Sequence, residues 1–303
     1  MILQQILYNF LRKGDNLNAK AFAPGHISGF FSPVFSKASC VQTGSCGAGV
    51  CLSLGATSSV MVEPAAQQDI QIFLNGKQSP APVTKMALQL LLGSSSLKIH
   101  VKTRLDLPRG QGFGMSAAGA LSATAAVASC LQLPSDQALK AAHCAEVQLQ
   151  TGLGDVLACQ FGGFEVRRSA GLPPWGMIEH IPGDYPLVLC VIGQKIQTKK
   201  VLSDVKNLDR IASYGRLCTK KLLEHPSVET FMRLSYDFTL HTNLMNENVH
   251  KAIQSAMQYG LASMCMLGNA VFALGKTEQL VQTLSSYGKV VVCSVDQKGL
   301  RLV

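Results

Sequence analysis

The stretch that most constrains this chain is Leu107–Ala120, whose centre reads Gly110-Gln111-Gly112-Phe113-Gly114. Three alternating glycines make a short loop, which runs into an Ala/Ser-rich segment, Ser116 to Ala128, that reads as a helix. Glycine adopts positive φ and lets the backbone approach a ligand closely. The unpaired N–H groups of a helix start attract an anion. Together these predict a phosphate cradle, with the Ser116 hydroxyl in reach of a phosphate-bound Mg²⁺. Read alone, the same residues are equally a glycine-rich turn between strand and helix. Two better-known phosphate loops are excluded. A dinucleotide-binding G-x-G-x-x-G starting at Gly110 needs glycine or alanine at position 115, which is Met115. A G-x-x-x-x-G-K-T loop ending at Gly275-Lys276-Thr277 needs glycine at position 270, which is Ala270.

Composition narrows the class further. The 303 residues are 47% hydrophobic and 15% charged, enough for a sizeable core in one large or two modest domains. No apolar run approaches the ~20 residues needed to cross a bilayer. The formal net charge is +9, but the basic residues are scattered and no aromatic-interleaved basic stripe is present. That pattern favours an enzyme for anionic substrates over a nucleic-acid binder. The ten cysteines include no Cys-x-x-Cys pair, and a chain of this size needs no disulfide staples. Reduced thiols in the cytoplasm are therefore expected. The histidines show no His-x-x-x-His spacing, which argues against a structural zinc site.

Taken in order, residues 1–18 stand apart as an extension in which Ile2, Leu3, Ile6, Leu7, Phe10 and Leu11 recur at helical spacing. Its charges, Arg12 and Lys13, follow the apolar run, the reverse of a signal peptide. Ala19–Ala23 reads as a short strand feeding Pro24-Gly25-His26, and Gly44–Gly49 as a second glycine-rich turn. Val50–Val62, Ile70–Leu74 and Leu97–Val101 read as strands, with Asn75-Gly76 a hairpin turn. Val83–Leu92 reads as a helix. Ser135 is the expected cap of another, which runs to about Gln150 and is stopped by Gly152. On it His143 and Glu146 lie three apart and share a face. Phe164-Glu165-Val166-Arg167 alternates, so Glu165 and Arg167 point together and the strand presents an arginine on its polar face. Pro173-Pro174-Trp175-Gly176 reads as the crossover between an N-terminal domain, 19–172, and a C-terminal domain, 173–303. The second domain holds a buried strand at Leu187–Ile192, helices over 203–260, a turn and strand from Met264 to Leu274, and a final helix and strand.

The pattern Pro108-x-x-x-Gly112-x-Gly114-x-Ser116-Ala117-Ala118 resembles the phosphate-binding motif of the GHMP kinases. Pro24-Gly25-His26 resembles their first motif, with His26 where many members carry Lys or Arg. Leu267-Gly268-Asn269-Ala270 stands where their third motif belongs. Within the superfamily the chain is similar to the archaeal pantoate kinases. That likeness rests on Pro24–Phe31, Gly44-Ser45-x-Gly47-Ala48-Gly49, Gly112–Gly119, Gly152-Leu153-Gly154-Asp155-Val156 and Met266–Asn269. The resemblance implies an α+β, two-domain GHMP kinase fold, with a ribosomal protein S5 domain 2-like N-terminal domain and a ferredoxin-like C-terminal domain. It implies ATP and Mg²⁺ as cofactors and phosphorylation of (R)-pantoate at its C4 hydroxyl, on the archaeal route to coenzyme A. It implies no nucleic-acid or membrane partner and leaves a homodimer open.

Phosphoryl transfer needs a phosphate cradle, metal ligands and a group that orients or deprotonates the attacking hydroxyl. The candidate cradle is Pro108, Gly110, Gly112, Phe113, Gly114, Met115, Ser116, Ala117, Ala118 and Gly119. Ser116 and Glu146 are the candidate Mg²⁺ ligands. Asp155 is the candidate catalytic residue. Read singly, Asp155 is equally a helix cap, Glu146 a solvated carboxylate and His26 an ordinary turn histidine. Asp155 and Glu146 follow the loop in the order the family shows. Arg167 is the candidate for the pantoate carboxylate, with Arg168 the alternative if the strand register shifts by one. The resemblance further points to Ser45, His143 and Thr198 as pantoate contacts. Competing readings are a GHMP kinase of homoserine or mevalonate type, a non-catalytic metabolite-binding protein on this fold, and a basic RNA-binding protein.

Overall fold

The computed structural model describes residues 17–194 and 205–303. The predicted N-terminal extension, except its last two residues, and the polar loop carrying Thr198 lie outside the described residues.

Strand β1, Leu17–Val34, is much longer than the one predicted at Ala19–Ala23, and it pairs antiparallel with β2, Gly44–Pro64. Pro24-Gly25-His26 is therefore not at a strand end, and Gly44–Gly49 is not a turn; both lie inside this ladder. Proline is tolerated there because the register shifts between Pro24 and Gly25, and it shifts again between Ser28 and Phe30. The glycines of β2 serve close approach rather than turning: a Cβ on Gly49 would run into the His26 ring.

The ladder divides at these bulges. On one side β5, Leu97–Leu105, pairs with Ala56–Pro64 of β2, and β12, Arg301–Leu302, pairs with β1. On the other side β6, Phe164–Ser169, pairs with Gly47–Val50 and is followed by β7, Met177–Ile181. Strand β3, Asp69–Leu74, lies parallel to β5 and is joined to it through α1, Pro82–Leu92. Asn75-Gly76 turns β3 back onto the short β4, Lys77–Gln78, as predicted. Helix α2, Met115–Cys130, packs across β1 and β2 and beneath α1 and α3, Ser135–Leu149. Its Ala/Ser/Gly composition suits a helix enclosed on nearly every side. In α3, Pro134 holds the cap position, Ser135 is already helical with no capping bond, and the helix ends on a left-handed Gln150 rather than at Gly152. A short helix α4, Asp155–Phe161, follows.

The second sheet has the order β11-β8-β10-β9, all antiparallel. These strands are β8 Pro186–Val191, β9 Gly260–Met264, β10 Ala270–Gly275 and β11 Lys289–Ser294. Helices α5 Val205–Glu224, α6 Val228–Thr242 and α7 Glu247–Ala256 connect β8 to β9, and α8 Thr277–Leu284 connects β10 to β11. Ser227 and Asn246 cap α6 and α7 with their side chains. The sheets do not divide at residue 173, because β7 and β12 lie beyond it and belong to the first sheet. A continuous apolar core joins the two sheets where Phe30 meets Phe231 and Phe238, and Phe231 meets Phe272.

The expectation of wholly reduced thiols fails at one pair. Cys40, in a single 3-10 turn over Cys40–Gln42, is disulfide-bonded to Cys144 on α3. The fold packs that turn against α3 and so joins two residues 104 apart in sequence, which no local spacing announces.

Candidate active site

A cleft of about 420 Å³ opens between the phosphate loop, the C-terminal end of α3, the start of α4 and the middle of the β1–β2 ladder. Gly110, Gly112 and Gly114 have φ of +75°, +78° and +61°. Alternating left-handed residues turn successive N–H groups to one side, which makes an anion nest. Gly114 caps α2 without a side-chain bond, so the first-turn N–H groups stay available to a ligand. The loop is braced from two sides. The His26 N–H donates to the Phe113 carbonyl at 3.0 Å. A Cβ on Gly112 would come within 2.6 Å of the Cys265 carbonyl, and Gly268 packs on the Gln111 backbone. The segment Met266–Asn269 thus holds the loop in place, and Met266 N–H also donates to the Ser28 carbonyl at 3.2 Å. Of the predicted cradle, Gly110, Gly112, Phe113, Gly114, Met115, Ser116 and Ala117 line the cleft. Pro108 is exposed outside it, and Ala118 and Gly119 are buried within α2, where they serve packing.

Glu146 reaches the cleft from α3 and is buried. The Thr151 hydroxyl donates to its Oε1 at 2.9 Å, and the Ser116 hydroxyl also bonds its carboxylate. Burial and the nearby Asp155 charge push its pKa up to about 7, against the pull of those two bonds. Glu146 is therefore not a solvated helix-face carboxylate. With Ser116 it offers hard oxygen donors beside the phosphate loop, a set that suits Mg²⁺.

Asp155 sits in the first turn of α4, after the cap residue Gly154, so it is not the helix cap. Its Oδ1 accepts a 2.6 Å hydrogen bond from His26 Nδ1. His26 is wholly buried, and its Nε2 donates to Glu165 Oε1 at 3.0 Å. Glu165 also pairs with Arg167 Nη1, and Arg167 Nη2 donates to Ser28 Oγ at 3.4 Å. Burial opposes charging of His26, but the bonds and charges of Asp155 and Glu165 win and raise its pKa to about 9. Burial would likewise raise Asp155, but the His26 bond and the His26 and Arg167 charges hold it below the usual carboxylate range.

Glu165 and Arg167 do point together, but into the interior, where both are buried and Glu165 meets His26 of β1. Arg167 Nε has no partner among the described residues. It borders Gly154 together with Ser45: a Cβ on Gly154 would lie 2.7 Å from Arg167 Nε and 2.6 Å from Ser45 Oγ. The alternative, Arg168, is exposed and donates to Glu179 at 2.5 Å, so the register turns Arg167 inward and Arg168 outward. His143 shares no wall of the cleft with Glu146. Its Nε2 donates to the Thr43 and Cys40 carbonyls at 2.9 and 3.1 Å, which anchors the chain entering Ser45. Burial outweighs those bonds and lowers its pKa, so it is neutral. Thr198 lies outside the described residues.

Residues 82–163 match the GHMP kinases N terminal domain family. A pantoate kinase of Methanocaldococcus jannaschii is 32% identical over 274 residues, covering 90% of this chain and 99% of that protein. A pantoate kinase of Methanospirillum hungatei is 33% identical over 285 residues, covering 92% and 94%. The chain belongs to the pantoate kinase family of the GHMP kinases. A solved structure described as a phosphotransferase related to the CoA biosynthesis pathway has a TM-score of 0.86 and 28% identity, over 95% of this chain and 99% of that one. The α+β, two-domain GHMP kinase fold implied by the resemblance is the fold observed.

In this member of the pantoate kinase family, Ser28 and Thr151 line the cleft and His26 and Glu165 lie buried behind Asp155, and sequence reading assigned none of the four to the site. The alternation Glu165-x-Arg167 carried a signal for one of them: two charged residues on one face of a strand whose other face begins with Phe164 and Val166. His26 was marked only by its place in the first motif, where many members carry Lys or Arg; its partners come from 129 and 139 residues away, so no local pattern announced them.

Proposed function

We propose that this protein transfers the γ-phosphoryl group of ATP to the C4 hydroxyl of (R)-pantoate, giving (R)-4-phosphopantoate for coenzyme A biosynthesis in the cytoplasm. The observation that carries this reading is the convergence of four parts at one cleft. A glycine nest, the Ser116–Glu146 oxygen pair and Asp155 line it, and the Arg167 Nε donor lies buried just behind Gly154 and Ser45 of its wall. The nest and the start of α2 take the phosphates through backbone N–H groups. Ser116 and Glu146 would hold Mg²⁺, which neutralises the charge developing on the phosphates. Arg167 and Ser45 bind the pantoate carboxylate, since a guanidinium supplies parallel donors to it. That grip directs the far hydroxyl toward Asp155. Asp155 is ionised and accepts a hydrogen bond from the hydroxyl, aligning its oxygen for in-line attack on the γ-phosphorus. As the new O–P bond forms and the bond to ADP breaks, the hydroxyl proton passes to the Asp155 carboxylate.

The test is ATP consumption by the purified protein with Mg²⁺, offering (R)-pantoate, pantothenate, homoserine and mevalonate in parallel. Turnover confined to pantoate is expected. Turnover on homoserine or mevalonate instead would replace the substrate, and ATP binding with no turnover on any of the four would replace the reading by a non-catalytic one.

A further inference from the structure

Both ring nitrogens of His26 face carboxylate oxygens, Asp155 Oδ1 at 2.6 Å and Glu165 Oε1 at 3.0 Å. An ionised carboxylate can only accept, so both nitrogens carry protons and the ring is an imidazolium. The site is built around this ring, since Gly49 leaves the space that it fills. Arg167 closes the chain through Glu165. Two cations and two carboxylates balance, which is the condition for burying four charges together. The backbone of His26 also holds the phosphate loop through Phe113. One residue thus touches the loop, touches Asp155, and reaches Arg167 through Glu165.

We propose that His26 is a positioning residue for phosphoryl transfer. Its imidazolium fixes one oxygen of Asp155, leaving the other for the acceptor hydroxyl, and through Glu165 it sets the guanidinium that takes the acceptor's carboxylate. This rests on the pantoate kinase reading and deepens it. Other groups face the same place from each neighbouring element. Glu146 on α3 faces Asp155. Cys159 on α4 donates to the Pro24 carbonyl at 3.0 Å, and burial keeps its thiol neutral. Cys51 on β2 lies opposite His26 in the ladder and donates to the Ala158 carbonyl at 3.3 Å. None of these supplies a cation. Without the imidazolium, Arg167 is left as the cation among these groups to offset Asp155 and Glu165.

The experiment compares His26→Asn and His26→Lys with the wild type. His26→Asn removes the charge and one donor. It is expected to lower kcat/KM for pantoate about 100-fold, with ATP KM unchanged, and to move the acid limb of the pH–rate profile to higher pH as Asp155 loses its cation. His26→Lys restores the charge and is expected to recover most of kcat with the wild-type acid limb, which a merely structural residue would not do. A His26→Asn profile that superimposes on the wild type overturns the proposal, as does a Lys variant no better than the Asn variant. If His26→Asn does not fold, the Lys variant alone decides: an active protein with the wild-type acid limb supports the proposal and an inactive one overturns it. The ¹⁵N resonances of the His26 ring provide a readout independent of substrate. They should show an imidazolium at pH 8 in the wild type, and a neutral ring there overturns the proposal. If pantoate is not the acceptor, that failure appears separately, as wild-type protein that does not turn it over.

Discussion

The phosphate loop lines the cleft, the buried chain Asp155–His26–Glu165–Arg167 reaches it through Asp155, and the two are built in opposite ways. The loop presents its backbone. Its working parts are N–H groups turned to one side by Gly110, Gly112 and Gly114, all within a few residues of sequence. The charged chain is built of side chains from β1, α4 and β6, and its links span 129 and 139 residues. A backbone site tolerates changes of side chain but not the addition of a Cβ where φ is positive. A buried charge network tolerates changes of shape but not the loss of a charge, since the partner left behind is uncompensated. Substitutions in the two regions should therefore fail differently, the loop in ATP binding and the charged chain in rate and acceptor binding.

The largest effect tests whether Asp155 belongs wholly to the second region. Asp155→Ala should lower kcat by about 10³-fold, the loss expected when a group aligned with the reacting hydroxyl is removed. ATP affinity measured by calorimetry should stay nearly unchanged, and a matching loss of ATP binding would merge the two regions.

Glu146 stands between them, and its pH dependence sharpens the boundary. Its folded pKa is about 7, raised by burial and by Asp155 from an ordinary 4.5. The native protein thus holds this proton more tightly than the unfolded chain does. Stability should fall as pH rises from 4.5 toward 7, by at most about 3 kcal/mol from this one carboxyl. In metal-free buffer Glu146→Gln should flatten that part of the Tm–pH curve. A variant curve parallel to the wild type would show that the carboxyl is not buried as charged.

Arg167→Lys keeps the charge but loses the planar fork. It should raise pantoate KM by about 100-fold and leave ATP KM alone. Equal increases in both constants would mean that Arg167 supports the structure of the cleft rather than gripping the acceptor. The smallest effect belongs to the loop. Gly112 has φ of +78° and lies where a Cβ would meet the Cys265 carbonyl at 2.6 Å. Gly112→Ala should raise ATP KM by about tenfold, from strain of a few kcal/mol shared between loop and brace. An unchanged ATP KM with a raised pantoate KM would invert the comparison.

The same contrast explains what could be read in advance. The loop, α2 and the Asn75-Gly76 hairpin were legible because each rests on neighbours in sequence: positive φ and periodicity. Local reading failed where glycine had a long-range purpose. Gly47 and Gly49 look like a turn but lie mid-strand, because the space they leave is filled by Phe30 backbone and by the His26 ring. It failed likewise at Cys40 and Cys144, which meet only because the 3-10 turn packs on α3.

By itself the sequence determined the glycine loop and the helix behind it, the kind of kinase, and the identities of Ser116, Glu146, Asp155 and Arg167 as candidates for its chemistry. Backbone dihedrals and short-range spacing are written in adjacent residues, so those features need no tertiary information. Tertiary structure alone decided the protonation and the partners of that chemistry. It made His26 an imidazolium, pushed Glu146 up to about 7 and held Asp155 low. Charge states inside a protein are set by burial and by what lies within a few ångströms, and in this chain those neighbours come from different strands and helices.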